Sequence, residues 1–119
     1  MKRILIVEDD QEIAQSLGKV LVRNGYDISL TGDGLTGLQK AIDDNPDLVL
    51  LDLILPKLSG EEVCKKIRKN KKTEKLPIIM ITGKSEDVDR VVGKVIGANY
   101  YIIKPYIFED LLLKISQIL

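Results

Sequence analysis

Three short runs in this chain are apolar on both faces. In "RILIVE" (3–8), "DLVLLD" (47–52) and "LPIIMIT" (76–82) the interior residues are almost all aliphatic, although successive strand residues point to opposite sides of a sheet. A strand of that kind must be covered above and below. That is the condition of a parallel sheet between helices, not of an antiparallel sheet with one wet face. "YDISLT" (26–31) and "NYYIIK" (99–104) supply two further strands. Between the strands the apolar period lengthens to that of a helix. The stripes are Ile13, Leu17, Val20 and Leu21; Leu35, Leu38, Ala41 and Ile42; Val63 and Ile67; Val88, Val91, Val92 and Val95; and Phe108, Leu111, Leu112, Ile115 and Leu119. "NG" at 24–25, "NP" at 45–46 and Gly97 stop three of these helices. No linker, repeat or low-complexity stretch interrupts the alternation. It predicts one α/β domain over residues 1–119: a doubly wound five-stranded parallel sheet of order 2-1-3-4-5 with right-handed crossovers.

Composition narrows the function classes. A chain of 119 residues buries roughly two-thirds of its unfolded surface around one core. Lysine plus arginine and aspartate plus glutamate both number 18, so net charge gives no general attraction to nucleic acid or to an anionic membrane. No apolar run reaches membrane-span length, and "MKRILIVEDD" turns acidic too early for a signal peptide; the expectation is a cytoplasmic domain with no membrane partner. Cys64 is the single cysteine, which excludes an internal disulfide and a cysteine zinc site and reads as a helix-buried thiol. With no histidine in the chain, chemistry falls to carboxylates, lysine and hydroxyls.

In a sheet of this order, ligands bind at the carboxyl ends of the strands beside the switch between strands 1 and 3. Strand 1 ends in Glu8, Asp9 and Asp10, strand 3 in Asp52, strand 4 in Thr82 and strand 5 in Lys104. Asp52 closes the run "LVLLD", where a charge is costly unless it is paired, metal-bound or at the strand end. Carboxylates converging there repel one another, so some are protonated or held around a cation. Oxygen ligands alone suit Mg²⁺, which keeps several waters and accepts phosphate oxygens. Asp10 reads instead as the N-cap of the first helix. An acidic strand end also argues against a nucleotide-phosphate site of the flavodoxin kind. "GDGLTG" (32–37) has the glycines of a phosphate loop but follows strand 2 and reads as a plain loop.

"ILIVEDD", "PDLVLLDLILPKLSG", "PIIMITG" and "GANYYIIKPY" together resemble the receiver domain of bacterial two-component response regulators, across essentially the whole chain. The resemblance implies a flavodoxin-like (βα)5 fold and a phosphoacceptor role for Asp52, served by the phosphohistidine of a sensor histidine kinase or phosphotransfer protein. It implies Mg²⁺ held by Asp9, Asp52 and the backbone carbonyl of Ile54, with Glu8 acting mainly through water. Lys104 would neutralise charge during transfer, Thr82 would donate to a phosphoryl oxygen, and Gly83 would leave room for the group. Lys104–Pro105 is the candidate for a cis peptide that aims the lysine. Tyr101, three before the lysine, is the candidate switch aromatic. It would follow Thr82 inward and alter a surface made by the fourth helix, fifth strand and fifth helix for a downstream output domain or protein.

Some residues depart from the family pattern. Asn99 and Tyr100 stand where winged-helix transcription-factor receivers carry two acids, which puts that class's salt-bridged dimer in doubt even though Asp89, Arg90, Asp110 and Lys114 resemble parts of it. The expected state is a monomer or a phosphorylation-dependent dimer, without direct nucleic-acid binding by this domain. Ile103 is bulkier and less polar than the threonine common before the lysine. Ile54 and Lys84 occupy positions that influence how water reaches the phosphoryl group, and an apolar Ile54 beside a long Lys84 predicts a slowly decaying phosphoaspartate. Ile54 also argues against an aspartate-nucleophile phosphatase, which needs an acid or base near the nucleophile; a degenerate binding-only receiver would lack one of the site residues, and all are present. The domain's catalysis would then be confined to its own phosphorylation and dephosphorylation. Lys65, Lys66, Arg68, Lys69, Lys71, Lys72 and Lys75, interrupted by Glu61, Glu62 and Glu74 and lacking aromatics, read as a solvated face. The apolar ending "LLLKISQIL" hints at excision from a longer regulator.

Overall fold

A computed structural model describes residues 1–83 and 97–119. Its strands are β1 (Arg3–Val7), β2 (Asp27–Thr31), β3 (Leu48–Asp52), β4 (Ile78–Thr82) and β5 (Tyr100–Ile103). The described helices are α1 (Gln11–Arg23), α2 (Gly34–Asp44), α3 (Gly60–Lys69) and α4 (Phe108–Ile118). The strands are all parallel, in the order β2-β1-β3-β4-β5, as the alternation of periods predicts. The stripe Val88 to Val95 and the residues Lys84, Asp89 and Arg90 lie outside the described residues. Among the described residues, no helix is long and apolar enough to cross a membrane.

The doubly apolar strands explain the layering. Every residue of β3 and β4 is buried. Alternate side chains feed opposite cores: Leu5, Val7, Val49, Leu51, Ile78 and Met80 pack with Ala41, Val63, Cys64 and Ile67 of α2 and α3. Ile4, Ile6, Leu48, Leu50, Ile79 and Ile81 pack with Leu17, Leu21, Leu111 and Ile115 of α1 and α4. Burial raises the Cys64 thiol to about 11, so it stays protonated and inert at neutral pH.

Three sequence expectations are corrected. In α1 the buried stripe runs through Ala14, Leu17, Gly18 and Leu21, while Ile13 is 38% exposed. Small residues let the helix sit close to β2, where a Cβ on Gly18 would meet the Ile28 side chain. "GDGLTG" is a loop only in its first half. Asp33 caps α2 by accepting from the Thr36 amide at 2.7 Å, and Gly34 lies against the Leu58 carbonyl, so the helix starts inside the glycine segment and leaves Leu35 exposed. Phe108 is 37% exposed and meets Tyr106 edge-on, with ring centroids 6.1 Å apart, instead of entering the core.

One close approach fixes the loop after β3. The Gly60 amide donates to the Leu53 carbonyl at 2.9 Å, and a Cβ there would run into the Asp52 carbonyl and the Leu53 Cα. Replacing Gly60 with alanine is expected to destabilise the domain by about 2–3 kcal/mol, measured by urea unfolding. Gly32→Ala, a substitution that meets nothing within 4 Å, should move stability by less than about 0.5 kcal/mol. Equal effects at the two positions would show that the close approach to β3 is not what Gly60 provides.

Candidate functional site

The site forms where the register brings strand ends together. Val7 pairs with Leu51 and Asp52 with Ile81, so Glu8, one residue past β1, lies beside Asp52, the last residue of β3. Thr82 ends β4 opposite Ile103, and the Lys104 amide donates to the Thr82 carbonyl at 2.8 Å. That bond sets Lys104 at the rim, with its side chain turned across the strand ends. Its ammonium donates to Asp52 Oδ2 at 2.9 Å and to Glu8 Oε1 at 3.2 Å. The Lys104–Pro105 peptide bond is cis.

Each carboxylate is held separately. Glu8 is 6% and Asp52 7% exposed, whereas Asp9 is exposed. Glu8 Oε2 accepts from the Asp10 amide at 3.2 Å, and Asp52 Oδ1 from the Ile54 amide at 3.3 Å. Asp10 turns away from the cluster to cap α1, accepting from the Glu12 and Ile13 amides at 3.0 and 3.2 Å. It is the N-cap that its position predicts.

One oxygen from each of Glu8, Asp9 and Asp52 lies within 4.8 Å of the others, a spacing at which three carboxylates can share one cation. The donor set fits a hard ion: oxygen only, partly open to solvent, with no nitrogen or sulfur ligand. Three carboxylates against one ammonium leave two excess negative charges when all are ionised, which a divalent ion matches. The cost of burial falls on Glu8. Desolvation, reinforced by Asp52, raises its carboxyl to about 7, against the opposing pull of the Asp10 amide and Lys104. Desolvation also pulls down on Lys104, but the bonds and charges of Asp52 and Glu8 outweigh it and hold the ammonium above its ordinary value.

The other named residues lie on the same strands or the loop after β3. Thr82 is buried at the end of β4, 1% exposed. Tyr101 is half-buried on β5, opposite Met80, and packs against the core on the α2–α3 side. Ile54 projects outward, 72% exposed. Residues 53–59 tie the site to α2: the Gly34 amide donates to the Pro56 carbonyl at 3.2 Å, and Lys57, at φ 69°, reaches Asp33 at 3.9 Å.

A feature that the sequence reading missed lies at the opposite end of the sheet. Arg68, on α3, donates to the Gly97, Leu76 and Glu74 carbonyls at 2.9, 2.7 and 3.3 Å and to Asn99 Oδ1 at 2.9 Å. The same Asn99 oxygen accepts from the Ile78 amide at 2.8 Å. The available signal was the one arginine in a run otherwise made of lysines.

Geometry and chain similarity agree. Residues 4–116 match the response regulator receiver domain. The chain belongs to that family. This receiver domain is 45% identical over all of its 119 residues to the response regulator ArlR of Staphylococcus saprophyticus, and it spans 53% of that protein. Its fold is similar to the chemotaxis response regulator CheY4 of Vibrio cholerae, with a TM-score of 0.91, 29% identity, and coverage of 100% of this chain and 99% of that one. The response regulator TrrA of Thermotoga maritima, solved in complex with Mg²⁺–BeF, has a TM-score of 0.89 and 35% identity, with 100% of both chains covered. The receiver domain is thus a phosphoacceptor signalling domain of the two-component class.

The Glu8 shift predicts how stability depends on pH. Its folded pKa, about 7, exceeds the ordinary 4.5, so the folded state binds the proton more tightly than the unfolded state. That contribution is complete below pH 4.5 and is lost as pH rises toward 7. In chelator-containing buffer, urea unfolding from pH 4.5 to 8 should therefore show a decline that is shallower in Glu8→Gln. An identical pH profile for both proteins would remove Glu8 as the cause.

Proposed function

We propose that Asp52 accepts a phosphoryl group from the phosphohistidine of a sensor histidine kinase or phosphotransfer protein, with Mg²⁺ as cofactor. The observation that carries this reading is the Lys104 ammonium bridging Asp52 and Glu8 within a carboxylate cluster spaced for one cation. Asp9 and Asp52 would hold the ion directly, the Ile54 carbonyl would complete the protein ligands, and Glu8 would act mainly through water. Bound there, Mg²⁺ would screen the charge of carboxylate and phosphoryl oxygens as they approach.

The remaining work belongs to the side chains. An Asp52 carboxylate oxygen attacks phosphorus in line, and the donor leaves with the electron pair of the broken bond. Lys104, already within hydrogen-bond distance of Asp52, follows the developing negative charge as a mobile point charge. Thr82 offers its hydroxyl to a phosphoryl oxygen, and Gly83 leaves room for the group. The new charge then draws Thr82 inward, and Tyr101 turns after it, reshaping the face formed by β5, α4 and the segment between β4 and β5 for an output domain or protein. The domain is cytoplasmic, acts as a monomer or phosphorylation-dependent dimer, contacts neither nucleic acid nor membrane itself, and catalyses only its own phosphorylation and dephosphorylation. Residues 1–119 form the receiver domain, which spans 53% of the length of its ArlR relative.

Incubation with acetyl phosphate and Mg²⁺ should add one phosphoryl group by intact mass, lost with chelator or in Asp52→Ala. Labelling that survives in Asp52→Ala would overturn the assignment, and steady phosphate release would indicate a phosphatase. The exposed, apolar Ile54 further supports slow hydrolysis, since it supplies no base for water. The label should outlast minutes in Mg²⁺ buffer and decay faster in Ile54→Glu; loss of most of it within seconds from the unaltered domain would refute the slow-decay assignment.

A further inference from the structure

Seven of the chain's 18 cations lie between Lys65 and Lys75, against the single carboxylate of Glu74. The structure divides this run into two kinds. Arg68 is turned inward and spends its donors on three carbonyls and Asn99. Lys65 pairs with Glu61 at 3.4 Å. Lys66, Lys69, Lys71, Lys72 and Lys75 are all exposed, and none has an ion-pair partner among the described residues.

The lysines beyond the helix stand on a fixed loop. Thr73, 3% exposed, donates its hydroxyl to the Ile67 carbonyl at 2.7 Å. Asn70 Oδ1 accepts from the Lys72 amide at 2.9 Å, and the Leu76 amide donates to the Thr73 carbonyl at 3.0 Å. Arg68 ties the far side of the loop through the Glu74 and Leu76 carbonyls.

Lys71, Lys72 and Lys75 line a cleft of about 450 Å³ together with Asn45, Asp47 and residues 73–77. Acids on the neighbouring elements are already engaged: Asp47 accepts from the Arg3 amide at 2.8 Å, Asp44 pairs with Lys40 at 3.2 Å, and Asp43 accepts from Gln39 at 2.8 Å. The cluster lies at the amino end of β4, whereas Asp52 lies at the carboxyl end of β3. A five-residue strand separates these edges by about 17 Å.

We propose that this lysine-bearing loop is a docking surface for an acidic protein segment, separate from the phosphoacceptor site. Charge complementarity fixes the partner's sign, and the fixed loop lowers the ordering cost of binding. A peptide suits the patch better than nucleic acid. The cations span one helix end and one turn, and no aromatic interleaves them for base stacking. The one arginine, best suited to bidentate phosphate recognition, is spent inside the loop.

The test uses a fluorescent oligoglutamate peptide titrated with the domain, with labelled duplex DNA as competitor. The expected result is saturable peptide binding that weakens at least about tenfold between 50 and 200 mM salt. Lys71→Gln/Lys72→Gln/Lys75→Gln should weaken binding by about tenfold or more while Asp52 labelling by acetyl phosphate proceeds at the unaltered rate. Arg68→Gln, which removes no exposed cation, should weaken it in the same direction by loosening the loop. Since the lysines are exposed, the triple variant should fold and decide the outcome by itself. Undetectable binding at low salt, unchanged binding by the triple variant, or preferential binding of the DNA would each overturn the proposal.

Discussion

The Lys104 ammonium, shared between Asp52 and Glu8, is the contact around which the functional end of this domain is arranged. Two nearly buried carboxylates on adjacent strand ends are unfavourable neighbours, and a single cation reaching over from β5 makes them compatible. The reach depends on the backbone pairing of β4 with β5, which fixes Lys104 one residue beyond Ile103. Order, register and charge therefore form one constraint: a slip of one residue in β5 against β4 would turn the ammonium away and leave two anions buried together. Burial, with the Asp52 charge beside it, still raises the Glu8 carboxyl to about 7. A divalent ion among these carboxylates would favour their ionised forms.

Much of this was legible in the sequence because it follows from strand physics. Runs such as "LVLLD" and "PIIMIT", alternating with helical stripes, fit strands covered on both faces of a parallel sheet, and that sheet has one edge where Glu8, Asp9, Asp52, Thr82 and Lys104 can meet. The alternation of Leu48 and Leu50 with Val49 and Leu51 into opposite cores follows from the two-residue strand period. Asp10 was separable from its acidic neighbours because a helix start needs a cap and a carboxylate supplies one.

What escaped the sequence was set by distance between elements, not by pattern within them. Ala14 and Gly18 face the sheet because α1 lies close to it, so hydrophobicity alone pointed to the wrong residue in Ile13. Gly34 begins a helix where a glycine-rich stretch suggested a loop, because the Leu58 carbonyl fills the space of its missing side chain. Arg68 and Asn99 are 31 positions apart. In the sequence, Asn99 was a missing acid and Arg68 one more surface charge. In space the neutral amide does work a carboxylate would do differently, accepting at once from a guanidinium and from the first amide of β4.

The charge balance of the chain takes on a different meaning once it is placed on the fold. Equal numbers of acids and bases suggested a surface without electrostatic preference. Glu8, Asp9 and Asp52 converge at the carboxyl edge of the sheet, however, and lysines with no ion-pair partner among the described residues gather at the amino edge. The two groups lie about 17 Å apart, beyond one Debye length at physiological salt, so each presents its own field to a partner with little cancellation by the other. A neutral chain can therefore carry a concentrated negative field at one end and a positive one at the other. The rigid central strands keep the two ends apart, so engaging one need not disturb the other.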